Sequence, residues 1–223
     1  MPYVSHNADE RKFPVDMVVI HYTGMPSAKD ALERLCDDKA KVGAHYLIDT
    51  DGTIYPLIDE KKRAWHAGVS FWAGRTDINS CSVGIELVNK GHEFGYEPFP
   101  DAQITSLTAL AADIVKRYGI SPCRVLGHSD VAPTRKADPG ELFPWKTLAA
   151  KGVGVWTDGF SPLKESRAAA LGRIGYDATD ESAAMTAFCR HFYPQAVVET
   201  VGADKIDGRL SAVADVFDRL TRR

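Results

Sequence analysis

The first 150 residues alternate two kinds of apolar spacing. Met17, Val18, Val19 and Ile20 form a short, largely β-branched run between Pro14 and Tyr22, and a run of that length and composition predicts a buried central strand over residues 14–22. Ser27 and Asp30 then stand at capping-box spacing, with Asp in place of Glu. Ala31, Leu32, Leu35 and Cys36 follow as one apolar stripe, which predicts a helix. Residues 44–49 and 53–58 flank Asp51-Gly52, the signature of a hairpin. Residues 82–89 read as a second apolar strand. Asp101 is expected to cap a long helix, because Ile104, Leu107, Leu110, Ala111, Ile114 and Tyr118 recur at helical spacing and Gly119 stops it. A short strand over 124–128 ends that crossover. Strands alternating with helices predict an α/β fold, a central sheet with helices packed against it.

From Lys151 to Lys164 the periodicity dissolves into KGVGVWTDGFSPLK, a linker by its Gly and turn residues. Helical patterns return near residues 166–175, 181–193 and 207–220. The expected organisation is therefore a main domain over 1–150, a linker over 151–164 and a three-helix domain over 165–223. The chain has 223 residues, 44% of them hydrophobic and 26% charged, enough for a sizeable core. Its 27 Lys and Arg against 30 Asp and Glu leave a formal net charge of −3. That balance supplies no cationic footprint for nucleic acid.

No stretch approaches 18 apolar residues, so no membrane span is expected. The opening residues lack an apolar export core, which predicts a cytoplasmic protein; an exported precursor already trimmed would instead be periplasmic or outer-membrane associated. Cys36, Cys81, Cys123 and Cys189 lie far apart and suit reduced thiols. No protein partner is required by any feature of the chain.

Two of the seven histidines, His21 and His128, sit at the ends of apolar strands, where open α/β sheets build their sites. The sequel to the second, GHSDVAPTRKADPGELFPW, gathers Asp130, Arg135, Lys136 and Asp138 among prolines. In an extended segment Lys136 and Asp138 project to one side. Two imidazoles and a carboxylate make a common catalytic zinc set, leaving a fourth position for water; the plain alternative is two core histidines and a surface Lys-Asp pair. Glu86 interrupts an otherwise small and apolar strand, as either a general acid/base raised by burial or a carboxylate bonded to a loop amide. Serine hydrolase chemistry is disfavoured because Val131 stands where a nucleophile elbow needs Gly, and no phosphate-binding glycine fingerprint follows any strand.

The segments MVVIHYTG, GAHYLID with DGTIY, AWHAG, SVGIELVN and LGHSDVAPTRKADPGELFPW, in this order over Pro14 to Trp145, closely resemble the zinc-dependent N-acetylmuramoyl-L-alanine amidases of the type-2 amidase family, relatives of peptidoglycan recognition proteins. The resemblance implies a mixed central sheet flanked by helices. It implies that His21, His128 and Asp138 bind Zn2+, that Glu86 is the catalytic acid/base, and that Lys136 stabilises charge on the substrate oxygen. His45, Trp65 and His66 match positions near the family's groove and are candidate substrate contacts. LGRIGY, MTAFCRHFYP and DGRLSAVADVFDRL resemble a three-helix peptidoglycan-binding module, although Cys189 stands where Gln commonly follows the Phe.

The activity so implied is hydrolysis of the amide between N-acetylmuramic acid, or its 1,6-anhydro form, and L-alanine in peptidoglycan or muropeptides, serving wall turnover and recycling. The rivals are a non-catalytic recognition protein and a zinc peptidase acting within stem peptides. Filled positions for all three ligands, Glu86 and Lys136 favour the enzyme.

Overall fold

The computed structural model describes residues 3–222. The outermost limits of the two expected domains, and the first two residues of the leader reading, lie outside the described residues. In chain order the elements of the front part are β1 (Ala8–Glu10), β2 (Met17–Tyr22), α1 (Ala28–Cys36), β3 (Tyr46–Ile48), β4 (Ile54–Pro56), β5 (Lys62–Ala64), α2 (Ile78–Cys81), β6 (Ser82–Leu87), α3 (Gly91–Phe94) and α4 (Asp101–Tyr118). A 3-10 turn at Pro122–Arg124 leads into β7 (Val125–Gly127), α5 (His128–Val131) and α6 (Trp145–Ala149). The rest is helical: α7 (Arg167–Ile174), α8 (Glu181–Phe192), α9 (Gln195–Val198) and α10 (Ala203–Thr221).

Five strands form one sheet in the order β4-β3-β6-β2-β7. β2 runs parallel to β6 and β7, β3 runs parallel to β6, and β4 pairs antiparallel with β3, so the sheet is mixed. The predicted strands, the hairpin and the long helix all appear, and the Ser27 hydroxyl accepts the Asp30 N–H as its spacing required. Gly119 adopts φ 65 and ends α4, but Asp101 is the first helical residue and Pro100 holds the cap position, without a side-chain hydrogen bond. Not anticipated were the β1-β5 ribbon, whose strands are three residues each, and the start of α10 at Ala203.

β2 reads as a continuous apolar run because it is covered on both faces, as parallel strands usually are. Val18 and Ile20 join Val83, Ile85 and Leu87 of β6 and Ile104, Leu107, Ala111 and Ile114 of α4 in one core. Met17 and Val19 point the other way, into a core with Leu126, Trp72 and the apolar faces of α7, α8 and α10, among them Leu171, Phe188, Val213 and Phe217. Each such side chain, fully buried, contributes about 1.5–3 kcal/mol. The helices beyond residue 164 therefore share a core with the sheet.

A buried polar contact reinforces that junction. Asp130 is wholly inaccessible to solvent, and a carboxylate there is costly without partners. Three donors reach it: the Gly127 N–H at 2.7 Å, the Tyr176 hydroxyl at 2.5 Å and His191 Nδ1 at 2.7 Å. The His191 ring is sandwiched between Trp145 and Phe192, with centroids 3.7 and 3.8 Å away. Tyr176 and His191 come from the helical part, and Asp130 from the short helix α5 opened by His128. Tyr176→Phe removes one charge-assisted hydrogen bond and should lower stability by about 1.5–3 kcal/mol; a urea midpoint equal to that of the parent would contradict this.

Candidate active site

The site lies at the carboxyl ends of three parallel strands. His21 of β2 is in register with Glu86 of β6, and Ile20 is in register with Gly127, so His128 follows directly beyond β7. Registered residues on parallel strands face the same side, which sets Glu86 beside His21 on the face that also carries Met17 and Val19. Gly127 is needed for close approach, since a Cβ there would stand 2.6 Å from Pro139 Cδ. The loop returning to the site is fixed by the Ser129 N–H, which donates to the Asp138 carbonyl at 2.8 Å. Asp138, followed by a cis peptide bond to Pro139, thereby meets a histidine ten positions earlier.

His21 Nδ1 lies 2.9 Å from His128 Nδ1, and Asp138 Oδ2 lies 3.1 Å from both. All three residues are buried. Ligands at bond lengths of about 2.0–2.1 Å and the tetrahedral angle lie about 3.3 Å apart, close to this spacing. His128 Nε2 is 3.1 Å from the Ala67 carbonyl, which accepts only, so the proton sits on Nε2 and Nδ1 keeps its lone pair. A His-His-Asp site able to hold a metal ion is therefore present, and its donor chemistry fits a divalent cation.

Electrostatics put these groups in their ligating forms. Burial, aided by the neighbouring His128, pushes the His21 imidazole down to about 4. Burial would drive the Asp138 carboxyl up, but the closeness of the His128 and His21 rings outweighs it and holds Asp138 well below the usual carboxylate range. Glu86 is the opposite case. Burial, then the charge of Asp138, raise its carboxyl well above the usual value against the opposing charge of Lys136, and its Oε2 is buried without a hydrogen-bond partner. Glu86 is thus a protonatable group beside the ligand cluster.

Glu86, Lys136 and Trp65 line, with His128 and Asp138, a cleft of about 570 Å³. Lys136 is exposed at its rim. The expected direct pairing of Lys136 with Asp138 is not formed, since no ion pair within 4 Å joins them among the described residues. The reason is local: the Asp138 carboxylate is turned to two histidines, and the Lys136 N–H closes a turn on the Ala132 carbonyl.

One of the three substrate-contact candidates needs correction. His45 is fully buried behind the site; its Nδ1 accepts the Gly84 N–H at 2.9 Å and its Nε2 lies 3.1 Å from the Lys62 carbonyl. It ties β6 to β5 and meets no ligand. His66 touches the cleft, but both ring nitrogens face inward, Nδ1 to His21 Nε2 and Nε2 to the Ser82 hydroxyl, each at 3.0 Å. Trp65 is half-exposed, with the Lys41 ammonium 5.7 Å over its ring. Tyr22 and His92 also line the cleft, joined by a 2.9 Å contact between Tyr22 Oη and His92 Nδ1, while His92 Nε2 reaches Glu141 at 3.1 Å. His92 sits in α3, a single turn too short to show periodicity, so nothing in its neighbourhood singled it out. Arg135 spans the carbonyls of Ala67 and Val69 and fastens the loop that carries the acceptor for His128.

Comparison with known proteins places this arrangement. The profile of the N-acetylmuramoyl-L-alanine amidase family, Amidase_2, matches residues 11–141. The chain is 36% identical to N-acetylmuramoyl-L-alanine amidase AmiD of Escherichia coli K12, covering 91% of this chain and 82% of that protein. Its fold superposes on the solved complex of that amidase with anhydro-N-acetylmuramic acid-L-Ala-D-gamma-Glu-L-Lys at a TM-score of 0.77, with 35% identity, over 92% of this chain and 89% of the other. It is 36% identical to the 1,6-anhydro-N-acetylmuramyl-L-alanine amidase AmpD of Haemophilus influenzae, over 64% of this chain and 86% of that one. The mixed sheet with histidines at its strand ends is that of an amide hydrolase. The chain belongs to the N-acetylmuramoyl-L-alanine amidase family, and it is an enzyme of that class.

His45 gives a pH test of this description. Burial, with the charge of Arg11, lowers its imidazole to about 4, against about 6.5 when unfolded. A depressed folded value means the unfolded chain binds the extra proton, so the contribution is complete above pH 6.5 and lost as pH falls towards 4. The parent should lose on the order of 3 kcal/mol more than His45→Asn across that window. Parallel stability curves for the two would refute it.

Proposed function

We propose that this amidase uses zinc, held by His21, His128 and Asp138, to hydrolyse the amide between N-acetylmuramic acid, including its 1,6-anhydro form, and L-alanine in muropeptides released during wall turnover. The observation that carries the reading is the convergence of two imidazole nitrogens and one carboxylate oxygen within 3.1 Å of one another, beside a carboxyl with a buried, unpartnered oxygen. The substrates of related proteins support the anhydro form. AmpD carries it in its name, and a Pseudomonas aeruginosa relative, 30% identical with a TM-score of 0.72, was solved with an anhydromuramic pentapeptide.

Zinc in this donor set supplies Lewis acidity toward the scissile carbonyl and acidifies a water. The chain's own groups do the rest. Glu86 takes the attacking water's proton on its unpartnered oxygen and returns it to the departing L-alanine nitrogen, a role its raised carboxyl suits. The Lys136 ammonium, free at the rim, meets the negative charge that develops on the carbonyl oxygen. Trp65 and Tyr22 supply apolar walls that orient the substrate. We further propose that residues 165–223 act as a helical unit joined through 151–164, its shared core holding α5 and His128 in place.

Purified protein should release free stem peptide and anhydro-N-acetylmuramic acid from anhydro-muropeptides, lose this activity to a chelator and regain it with Zn2+. Mass analysis separates the rivals, since a peptidase leaves L-alanine on the sugar and a recognition protein releases nothing. Glu86→Gln should lower turnover by about 10²-fold or more, and Lys136→Ala by about 10²- to 10³-fold with zinc content unchanged. Full turnover in Lys136→Ala would remove its assigned role.

A further inference from the structure

We propose that His66 is a positioning residue for the metal, and that it acts together with Ser82 by fixing which nitrogen of His21 carries the proton. The inference rests on the metal-binding reading of the site. The polarity of the contacts can be traced from the far end. The Ser82 hydroxyl has one hydrogen and donates it to the Ile78 carbonyl at 2.6 Å, so it meets His66 Nε2 as an acceptor at 3.0 Å. His66 Nε2 therefore bears the proton, and in the neutral ring Nδ1 is bare. That bare Nδ1 accepts from His21 Nε2 at 3.0 Å.

With its proton committed to Nε2, His21 presents a lone pair on Nδ1 towards His128 Nδ1 and Asp138 Oδ2. The opposite tautomer would aim a hydrogen at the place a cation occupies. His128 reaches its ligating state through one contact with the Ala67 carbonyl, whereas His21 needs three links ending on a backbone acceptor. Outer partners of this kind set the ring orientation and tautomer of ligating histidines.

The strand beneath is shaped for this relay. Ser82, Gly84 and Glu86 alternate along one face of β6. A Cβ on Gly84 would stand 2.4 Å from His66 Cγ, so the imidazole lies on the strand at the position that has no side chain. Ser82 is fully buried at the end of the relay. His66 is not itself a ligand; it sets the state of one.

Two measurements on the full chain test this: Zn2+ affinity by competition with a chromophoric chelator, and the histidine tautomers of the metal-free protein by long-range proton–nitrogen NMR. The parent should show His21 protonated on Nε2. His66→Leu should bind Zn2+ about 10- to 100-fold more weakly. His66→Asn, whose side-chain oxygen overlies the lost Nδ1 and accepts the same proton, should recover most of that loss. Ser82→Ala, a smaller change, should weaken binding by about 2- to 10-fold and leave His21 as a mixture of tautomers. Undiminished Zn2+ affinity in His66→Leu, or a parent His21 protonated on Nδ1, would overturn the proposal. A parent that bound no Zn2+ would instead overturn the metal reading, and the tautomer spectrum would still decide the role of His66.

Discussion

Two imidazole nitrogens and a carboxylate oxygen gathered within 3.1 Å, away from water, repel one another unless positive charge sits among them. The scaffold holds them there all the same. β2 and β7 bring the two histidines to adjacent strand ends, Gly127 clears the space, and the Ser129-Asp138 backbone contact closes the loop that delivers the acid. Asp130, engaged by three donors, stiffens the turn from the other side. Much of the architecture is support for an electrostatically unfavourable cluster, which is characteristic of a site built to take a cation.

The elements that were legible in the sequence are those whose signal is local. Met17 to Ile20 and residues 82–87 are buried on both faces, so their apolar runs announce strands, and His21, Glu86 and His128 stand out against them as polar residues at or near strand ends. Asp138 was legible as a ligand mainly through the family resemblance, because only a ten-residue loop closure makes it a neighbour of His128. The roles of His45 and His66 were not legible: a histidine in a groove motif and one bonded inward have the same neighbours in sequence. The pairing of Lys136 with Asp138 was over-read because the carboxylate is turned to His21 and His128 instead. The contact of Asp130 with His191 spans 61 positions, a separation at which no spacing rule operates.

The helical part bears on the site through contact rather than through residues of its own in the cleft. Trp72, Leu126 and Val131 of the front part are covered by α7, α8 and α10, and Tyr176 and His191 reach the carboxylate two residues beyond His128. Among the described residues no helix is long and apolar enough to cross a membrane, and the four cysteines are free thiols, so cohesion here comes from packing and buried hydrogen bonds.

Strand β6 carries two duties on its two sides. Val83, Ile85 and Leu87 are pressed against α4, while Ser82, Gly84 and Glu86 serve the histidines. A shift of pairing by a single residue would exchange the two sets, burying a carboxyl in the greasy layer and turning valine and isoleucine towards the imidazoles. A one-residue slip along this strand would therefore disturb core packing and chemistry together.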